Sequence, residues 1–323
     1  MLLGALVSVA LLAAACTSAN GSPSHAPGST SSSARTSSSA DTSGLAALTP
    51  AAGIATTGEL IQRQIPGGES HFAARAAWIY LPPAAIRDKH LRLPVVELLH
   101  GTPGTTEVWF EQGLGNLLPT IEAFARAHNG QAPIVVMPDS NGARDADSEC
   151  IRTPSGGNVE QYLTSVVPAW IATHLPATTN HRDWALAGLS EGGTCSLMLT
   201  LRHRSVFNTI GDFAGQAHLT LGEPDNHTRT VQILFDGSQS AYDLHDPLYL
   251  LTHAGSLRGL GIWMQSGALD RQSVIDQALL APTAQAKGAT VQPVLYPGLG
   301  HRWPVWTNAF TRMLPWWWQR MSA

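Results

Sequence analysis

From about residue 47 onward, apolar runs of strand length alternate with longer segments of helical length. The runs fall at 77–81 (AWIYL), 95–99 (VVELL), 134–137 (IVVM), 184–187 (WALA), 208–213 (NTIGDF), 261–265 (GIWMQ) and 291–296 (VQPVLY). Helices are predicted over 116–128, 159–175, 192–203, 273–287 and 306–321. This alternation predicts an α/β protein: a mostly parallel central sheet with helices on both faces. The segment 214–257 carries many polar residues and reads as loops and short helices. In the last helix Phe310, Met313, Leu314 and Trp317 share one face, so the Trp-rich end of the chain is expected to dock on the sheet rather than form a membrane- or sugar-binding surface. Glu97 interrupts an apolar strand, and an unpaired buried carboxylate is costly, so an arginine or hydroxyl partner is expected for it.

The pattern before residue 47 is different. Residues 1–15 form a short apolar run ending in small residues, too short to span a bilayer as a helix, and read as an export signal. The small residues before Cys16 resemble a lipobox, in which the cysteine is acylated and becomes the mature N-terminus. Ala13 stands where Leu is usual and no Lys or Arg precedes the run, so cleaved secretion without a lipid stays open, as does an intracellular protein. Residues 16–46 are rich in Ser, Thr, Gly and Pro, which cannot bury enough apolar surface to offset the entropy of ordering, and read as a disordered tether. The folded domain is assigned to 47–323. On this reading the membrane is met only through a lipidated N-terminus.

Composition narrows the function. The 323-residue chain is 44% apolar and 13% charged, with a formal charge of −4. That supports one sizeable core and supplies no basic field for nucleic acid. No Cys/His/carboxylate cluster has zinc spacing, and no phosphate-binding G-x-x-x-x-G-K-[ST] loop is present, so the expected chemistry needs no cofactor. Cys150 and Cys195 are the cysteines left beyond Cys16. In an exported protein they are expected to form a disulfide, with two buried free thiols as the alternative.

The strongest chemical signal is Gly188-Leu189-Ser190-Glu191-Gly192, set between an apolar strand and a helix. This is the G-x-S-x-G nucleophile elbow in its required context. The chain must turn sharply there, and glycines on either side remove Cβ atoms that would clash. A serine hydroxyl needs a base, and among 13 histidines His301, in Gly300-His301 after the last strand, is placed to reach the sheet's C-terminal edge. Asp270, after the 261–265 strand, completes the order Ser, Asp, His. Asp236, Asp243 and Asp246 are rivals better suited to turns and caps. For the oxyanion, the backbone N–H groups of Glu191 and of Thr102 are expected as donors, with Gly104 as fallback because Pro103 has no N–H. His100 is expected to order that loop rather than act as a base.

These segments, Leu98-Leu99-His100-Gly101 with Trp109 downstream, Gly188 to Gly193, Gly267 to Asp270 and Gly300-His301, together resemble the putative-esterase family of α/β hydrolases over about residues 75–320. That family includes S-formylglutathione hydrolases, feruloyl and siderophore esterases and antigen 85 mycolyltransferases. Asp147 to Cys150, Gly192 to Cys195 and His245 to Leu248 resemble an exported actinobacterial branch. The resemblance implies an acyl-serine mechanism on a small-molecule, lipid or glycan ester. It leaves open hydrolysis, acyl transfer to a sugar or lipid hydroxyl, and a non-catalytic envelope-binding homologue. Asp270 stands where the mycolyltransferases carry Glu, which favours hydrolysis. Substrate length and oligomeric state are not legible.

Overall fold

The computed structural model describes residues 56–153, 156–222 and 226–321. Cys16, the apolar leader and the Ser/Thr-rich tether lie outside the described residues. The strands are β1 (Glu59–Arg63), β2 (Ala77–Leu81), β3 (Val95–Leu99), β4 (Ile134–Met137), the two-residue β5 (Arg152–Thr153) and β6 (Gly157–Asn158), β7 (Trp184–Leu189), β8 (Thr209–Phe213), β9 (Gly261–Gly267) and β10 (Thr290–Tyr296). The helices are α1 (Pro83–Arg87), α2 (Leu118–Ala127), α3 (Val159–Gln161), α4 (Val167–His174), α5 (Glu191–Arg202), α6 (His227–Leu234), α7 (Gln239–Asp243), α8 (Pro247–His253), α9 (Arg271–Ala286) and α10 (Trp303–Met321).

Eight strands make one sheet in the order β1-β2-β4-β3-β7-β8-β9-β10. From β4 to β10 every neighbouring pair is parallel, whereas β2 runs antiparallel to β4 and to β1. The predicted strands all form. β1 was not foreseen, because ELIQR has too few apolar positions to stand out and is only partly buried as the edge partner of β2. At the other edge, β10 is largely exposed and carries Pro293, which an edge strand tolerates because its missing N–H faces no neighbour.

Successive residues of a strand face opposite sides of the sheet, and both sides are covered. Val95, Leu99, Val136 and Leu186 pack with Tyr162, Val167 and Met198. Val96, Leu98, Val135 and Ala187 pack on the other side with Trp109, Ile121, Phe310 and Trp317. α10 docks as expected, burying Phe310, Met313, Leu314 and Trp317. The segment 214–257 supplies α6, α7 and α8, of which α8 packs against α5 and α9. The helix predicted over 159–175 is broken into α3, a π turn at Tyr162–Val166 and α4. Pro168, in the first turn of α4, has no N–H to return to the preceding turn.

Glu97 departs from expectation. It lies fully buried between Val95 and Leu99, and neither carboxyl oxygen finds a hydrogen-bond partner among the described residues. Burial pushes its carboxyl well above the ordinary range, which favours the neutral acid, and a neutral acid does not need the arginine that an anion would require.

The chain builds β3 and β4 outward on one side and then crosses to place β7 on the other side of β3. The crevice at such a reversal, outside the carboxyl ends of the strands, is where open α/β sheets bind ligands. Leu99 of β3 pairs with Gly188 of β7, so the residues that follow, His100-Gly101-Thr102 and Leu189-Ser190, meet in that crevice.

Candidate active site

Ser190 sits between the end of β7 and the start of α5 with φ 54° and ψ −123°, a conformation that is strained for a residue with a side chain. Its backbone is held by the Ser190 N–H donating to the Phe213 carbonyl at 2.9 Å and by the Gly193 and Thr194 N–H groups donating to the Ser190 carbonyl. The glycines are steric requirements: a Cβ on Gly188 would stand 2.4 Å from the Gly192 carbonyl oxygen, and one on Gly192 would stand 2.4 Å from that of His100.

The three residues singled out from widely separated segments converge. His301 Nε2 lies 2.9 Å from Ser190 Oγ, and His301 Nδ1 lies 2.6 Å from Asp270 Oδ2. Asp270 is the N-cap of α9 and accepts from the Ser273 hydroxyl at 2.7 Å and the Ser273 N–H at 3.3 Å. Burial alone would raise the Asp270 carboxyl, but the hydrogen bonds from His301 and Ser273 outweigh it and hold the group below the usual range. An ionised Asp270 fixes the tautomer with the proton on Nδ1 and leaves Nε2 to accept from Ser190. The imidazole packs edge-on against Trp306 at 4.9 Å between ring centroids.

The rival residues are occupied elsewhere. Asp246 caps α8 and bonds His218 and Tyr242, Asp243 accepts from Gln239, and Asp236 occupies a turn at φ 51°. His203 bonds Glu160, His227 bonds Gln239, and His253 stacks on Tyr249. A cavity of about 570 Å³ lined by His218, His227, Tyr242, Asp246, Tyr249 and His253 contains none of the Ser190, Asp270 and His301 side chains.

The two residues expected to supply the oxyanion donors lie at the crevice beside Ser190. Glu191 opens α5, whose first N–H groups have no partner within the helix. Among the described residues nothing accepts from the Thr102 N–H, whereas Gly104 gives its N–H to the Arg144 carbonyl at 2.9 Å. Thr102 rather than Gly104 is therefore the donor left available. Gly101 brings this loop close: a Cβ there would stand 3.0 Å from Ser190 Cβ.

The loop is held by His100, which the sequence singles out for this task, and by Arg75 and Asp139, which it does not. His100 is buried, with Nδ1 2.9 Å from the Gly101 carbonyl and Nε2 3.3 Å from Asp139 Oδ1, so it orders the loop as expected and does not reach Ser190. Arg75 donates to both Asp139 and the Gly104 carbonyl. Burial would raise the Asp139 carboxyl, but hydrogen bonds from His100 and Arg75 hold it far below its ordinary range. The Trp109 indole N–H donates to the Leu99 carbonyl at 2.9 Å and anchors the end of β3. Asp139 had a signal: Pro138-Asp139-Ser140-Asn141-Gly142 directly follows an apolar parallel strand, at the sheet edge where sites form.

Cys150 and Cys195 are joined as a disulfide, both buried, tying the 147–150 loop to α5. Among the described residues, the group of possible metal ligands close enough to share an ion is Cys150, Glu191 and Cys195, and two of those three are consumed by the S–S bond.

A doubly wound sheet of this order, with a serine in a strand-to-helix elbow at the switch point, defines the α/β-hydrolase fold. The chain belongs to the esterase family within that fold: residues 73–317 match the family described as "Putative esterase". It is 31% identical over 268 residues to an uncharacterized protein of Corynebacterium glutamicum, covering 80% of this chain and 61% of that protein. This chain thus spans less than two thirds of that relative. Among solved structures it is similar to a ferulic acid esterase (TM-score 0.67, 19% identity, 82% of this chain and 98% of the other). It is likewise similar to an S-formylglutathione hydrolase from Agrobacterium tumefaciens (TM-score 0.66, 18% identity, 84% and 98%).

Proposed function

We propose that this protein is a serine ester hydrolase that works through an acyl-serine intermediate. The observation that carries the reading is the unbroken chain from Ser190 Oγ to His301 to Asp270, beside the N–H groups of Thr102 and Glu191. In the first step Ser190 Oγ bonds to the ester carbonyl carbon while its proton passes to His301 Nε2. The oxyanion that forms is held by the two N–H groups. The C–O bond to the alcohol then breaks as His301 returns the proton to the departing oxygen. Water adds to the acyl carbon by the same route in reverse, releasing the acid and restoring Ser190. The names of the similar structures, a ferulic acid esterase and an S-formylglutathione hydrolase, support small-molecule esters as the substrate class. The leader before Cys16 and the Cys150–Cys195 disulfide support export, with the domain tethered to a membrane by a lipid on Cys16.

The decisive experiment is hydrolysis of nitrophenyl esters of graded acyl length by the wild type and by Ser190→Ala. The expected fall in kcat is at least about 10⁴-fold. A fluorophosphonate should add one adduct mass to the wild type and none to the variant. Residual activity within about tenfold of wild type in Ser190→Ala would remove the reading. Recovery of mainly ester product in the presence of an acceptor alcohol would replace hydrolysis by acyl transfer.

A further inference from the structure

The residue after the nucleophile contributes more than its backbone. The Glu191 side chain is buried and turns toward the 100–104 loop, where Oε2 meets the Thr102 hydroxyl. Asn141 Nδ2 lies 2.8 Å from Glu191 Oε2 and 2.8 Å from Thr102 Oγ1. Asn141 Oδ1 accepts from the Ser148 N–H at 3.0 Å, which fixes the amide with its donors toward Thr102 and Glu191. Thr102 Oγ1 also lies 3.1 Å from the Ala146 carbonyl, which can only accept.

Counting protons decides the direction of these bonds. A hydroxyl has one proton to give and can accept two. If Glu191 were a carboxylate, Thr102 could satisfy either Glu191 or Ala146 but not both. If Glu191 carries a proton, it donates to Thr102, Thr102 donates to Ala146, and Asn141 donates to both. The surroundings agree. The charged groups facing Glu191 are Asp147 and Glu149, on the loop ending at Cys150, and both are acids. The 100–104 loop carries His100, whose ring nitrogens are turned to the Gly101 carbonyl and Asp139 rather than to Glu191, and the guanidinium of Arg75 is likewise bonded to Asp139 and Gly104. On the remaining side Glu191 lies within 4.8 Å of the Cys150 and Cys195 sulfurs, which are neutral as a disulfide. Its Oε1 has no partner among the described residues, a cost much smaller for a neutral acid than for an anion.

We infer that the Glu191 side chain is a positioning residue: as a neutral carboxylic acid it donates a hydrogen bond to Thr102 and so holds the Thr102 N–H in line with the oxyanion. This deepens the serine-hydrolase reading and rests on it. Burial, followed by the charge of Asp147, pushes the Glu191 carboxyl up to about 8, although its hydrogen-bond contacts with Thr102, Asn141 and the Glu149 backbone N–H favour the anion. Raising the pH through that value removes the donated proton. Thr102 is then drawn from Ala146, and the turn carrying its N–H loses an anchor. Transition-state stabilisation falls while ground-state substrate contacts persist, so the loss appears in kcat rather than in KM.

The test is the pH dependence of kcat and KM from pH 6 to 10 for wild type, Glu191→Gln, Glu191→Ala and Thr102→Val, with folding followed by circular dichroism at each pH. Wild type should lose kcat above about pH 8 with KM little changed. The Gln amide donates to Thr102 without ionising, so Glu191→Gln should stay within about tenfold of wild type at pH 7 and lose the alkaline decline. Glu191→Ala should lose about 10–100-fold in kcat at pH 7, less than or comparable to deleting an oxyanion donor outright. Thr102→Val, which removes the hydroxyl that Glu191 holds, should be slow and equally free of the decline, and serves if Glu191→Gln fails to fold. An unchanged alkaline decline in either variant overturns the inference. Ser190→Ala in the same series keeps the two readings apart: its inactivity with an unaltered Glu191→Gln profile refutes this inference alone, whereas its retained activity refutes the hydrolase reading.

Discussion

The two halves of the proposed catalytic centre are built on opposite plans. The proton-transfer half stands at the outer strands: Asp270 follows β9, His301 follows the exposed edge strand β10, and the His301 side chain is 41% exposed. The oxyanion half stands on the central strands β3, β4 and β7, and its supports His100, Asp139, Asn141 and Glu191 are all buried. The first half depends on two short contacts, the second on a network reaching from Arg75 to Cys195. A group that must give and take a proton at each turnover needs access to the substrate's leaving atom. Dipoles that must not reorganise as charge develops need rigid, water-poor surroundings. The difference suits those two tasks.

The largest effect expected from separating the halves is in the first. Asp270→Asn keeps the cap on α9, because Asn also accepts from an N–H, but it no longer fixes the His301 tautomer. We expect kcat to fall by about 10³–10⁴-fold with the melting temperature within a few degrees of wild type. A stability loss as large as the activity loss would mean that this half, too, is structural. Next in size is Asp139→Asn in the second half. It leaves the Arg75 guanidinium without its buried anion, and removing one partner of such a pair costs about 3–5 kcal/mol. Here denaturant melts should show the larger change, with kcat falling about 10–100-fold as the Thr102 loop loosens.

The halves also differed in how much of them could be read from the sequence. Ser190, His301 and Asp270 each follow a recognisable strand, and their order along the chain matches the fold, so local pattern sufficed. The disulfide followed from the cysteine count and the expectation of export. Arg75, Asn141 and the side chain of Glu191 were not found, because their meaning lies in contacts between residues 29 to 64 or more positions apart, such as Arg75 with Gly104 and Asp139. Nothing local distinguishes Glu191 from an exposed glutamate in the first turn of a helix, where acids are common for reasons of the helix dipole. Glu97 was noticed, but a partner was expected on the premise that it is charged. The fold's layers and strand order were legible because the central strands are apolar throughout. β1 was not, since edge strands need only half a face.

Removing the disulfide sharpens the comparison further. Cys150→Ser with Cys195→Ser opens a closed loop of 45 residues, for which chain entropy gives about 2–4 kcal/mol of stability. The bridge lies against Glu191 and pins the loop carrying Asp147 and Glu149, so activity should decline with it, by less than about tenfold, while the His301–Asp270 contact is untouched. Differential labelling would check this. Fluorophosphonate capture by Ser190, which needs the oxyanion site, should slow, whereas the fold-loss in kcat on Asp270→Asn should be the same with and without the bridge.

The smallest expected effect concerns the acids beneath the oxyanion half. Glu97, on β3 two residues before Leu99, has a carboxyl raised by burial alone, so the native state holds its proton more tightly than the unfolded chain does. Its contribution is therefore most favourable below the unfolded carboxylate range, near pH 4, and declines as pH rises toward the native value. Asp212, at the same sheet edge, is raised by burial to about 7 and adds in the same direction. Asp139 and Glu160 are lowered by their His and Arg partners against the effect of burial, and act in the opposite sense, losing their stabilisation only as pH falls below about 4. The balance predicts greater stability at pH 5 than at pH 9. Glu97→Leu, similar in volume and free of the unpartnered carboxyl, should raise stability by about 1–3 kcal/mol at pH 9 and by less at pH 5. Thermal melts of both proteins at the two pH values measure this. A Glu97→Leu variant that is less stable at pH 9 would mean that the carboxyl has a stabilising partner, and that the buried half tolerates charge rather than suppressing it.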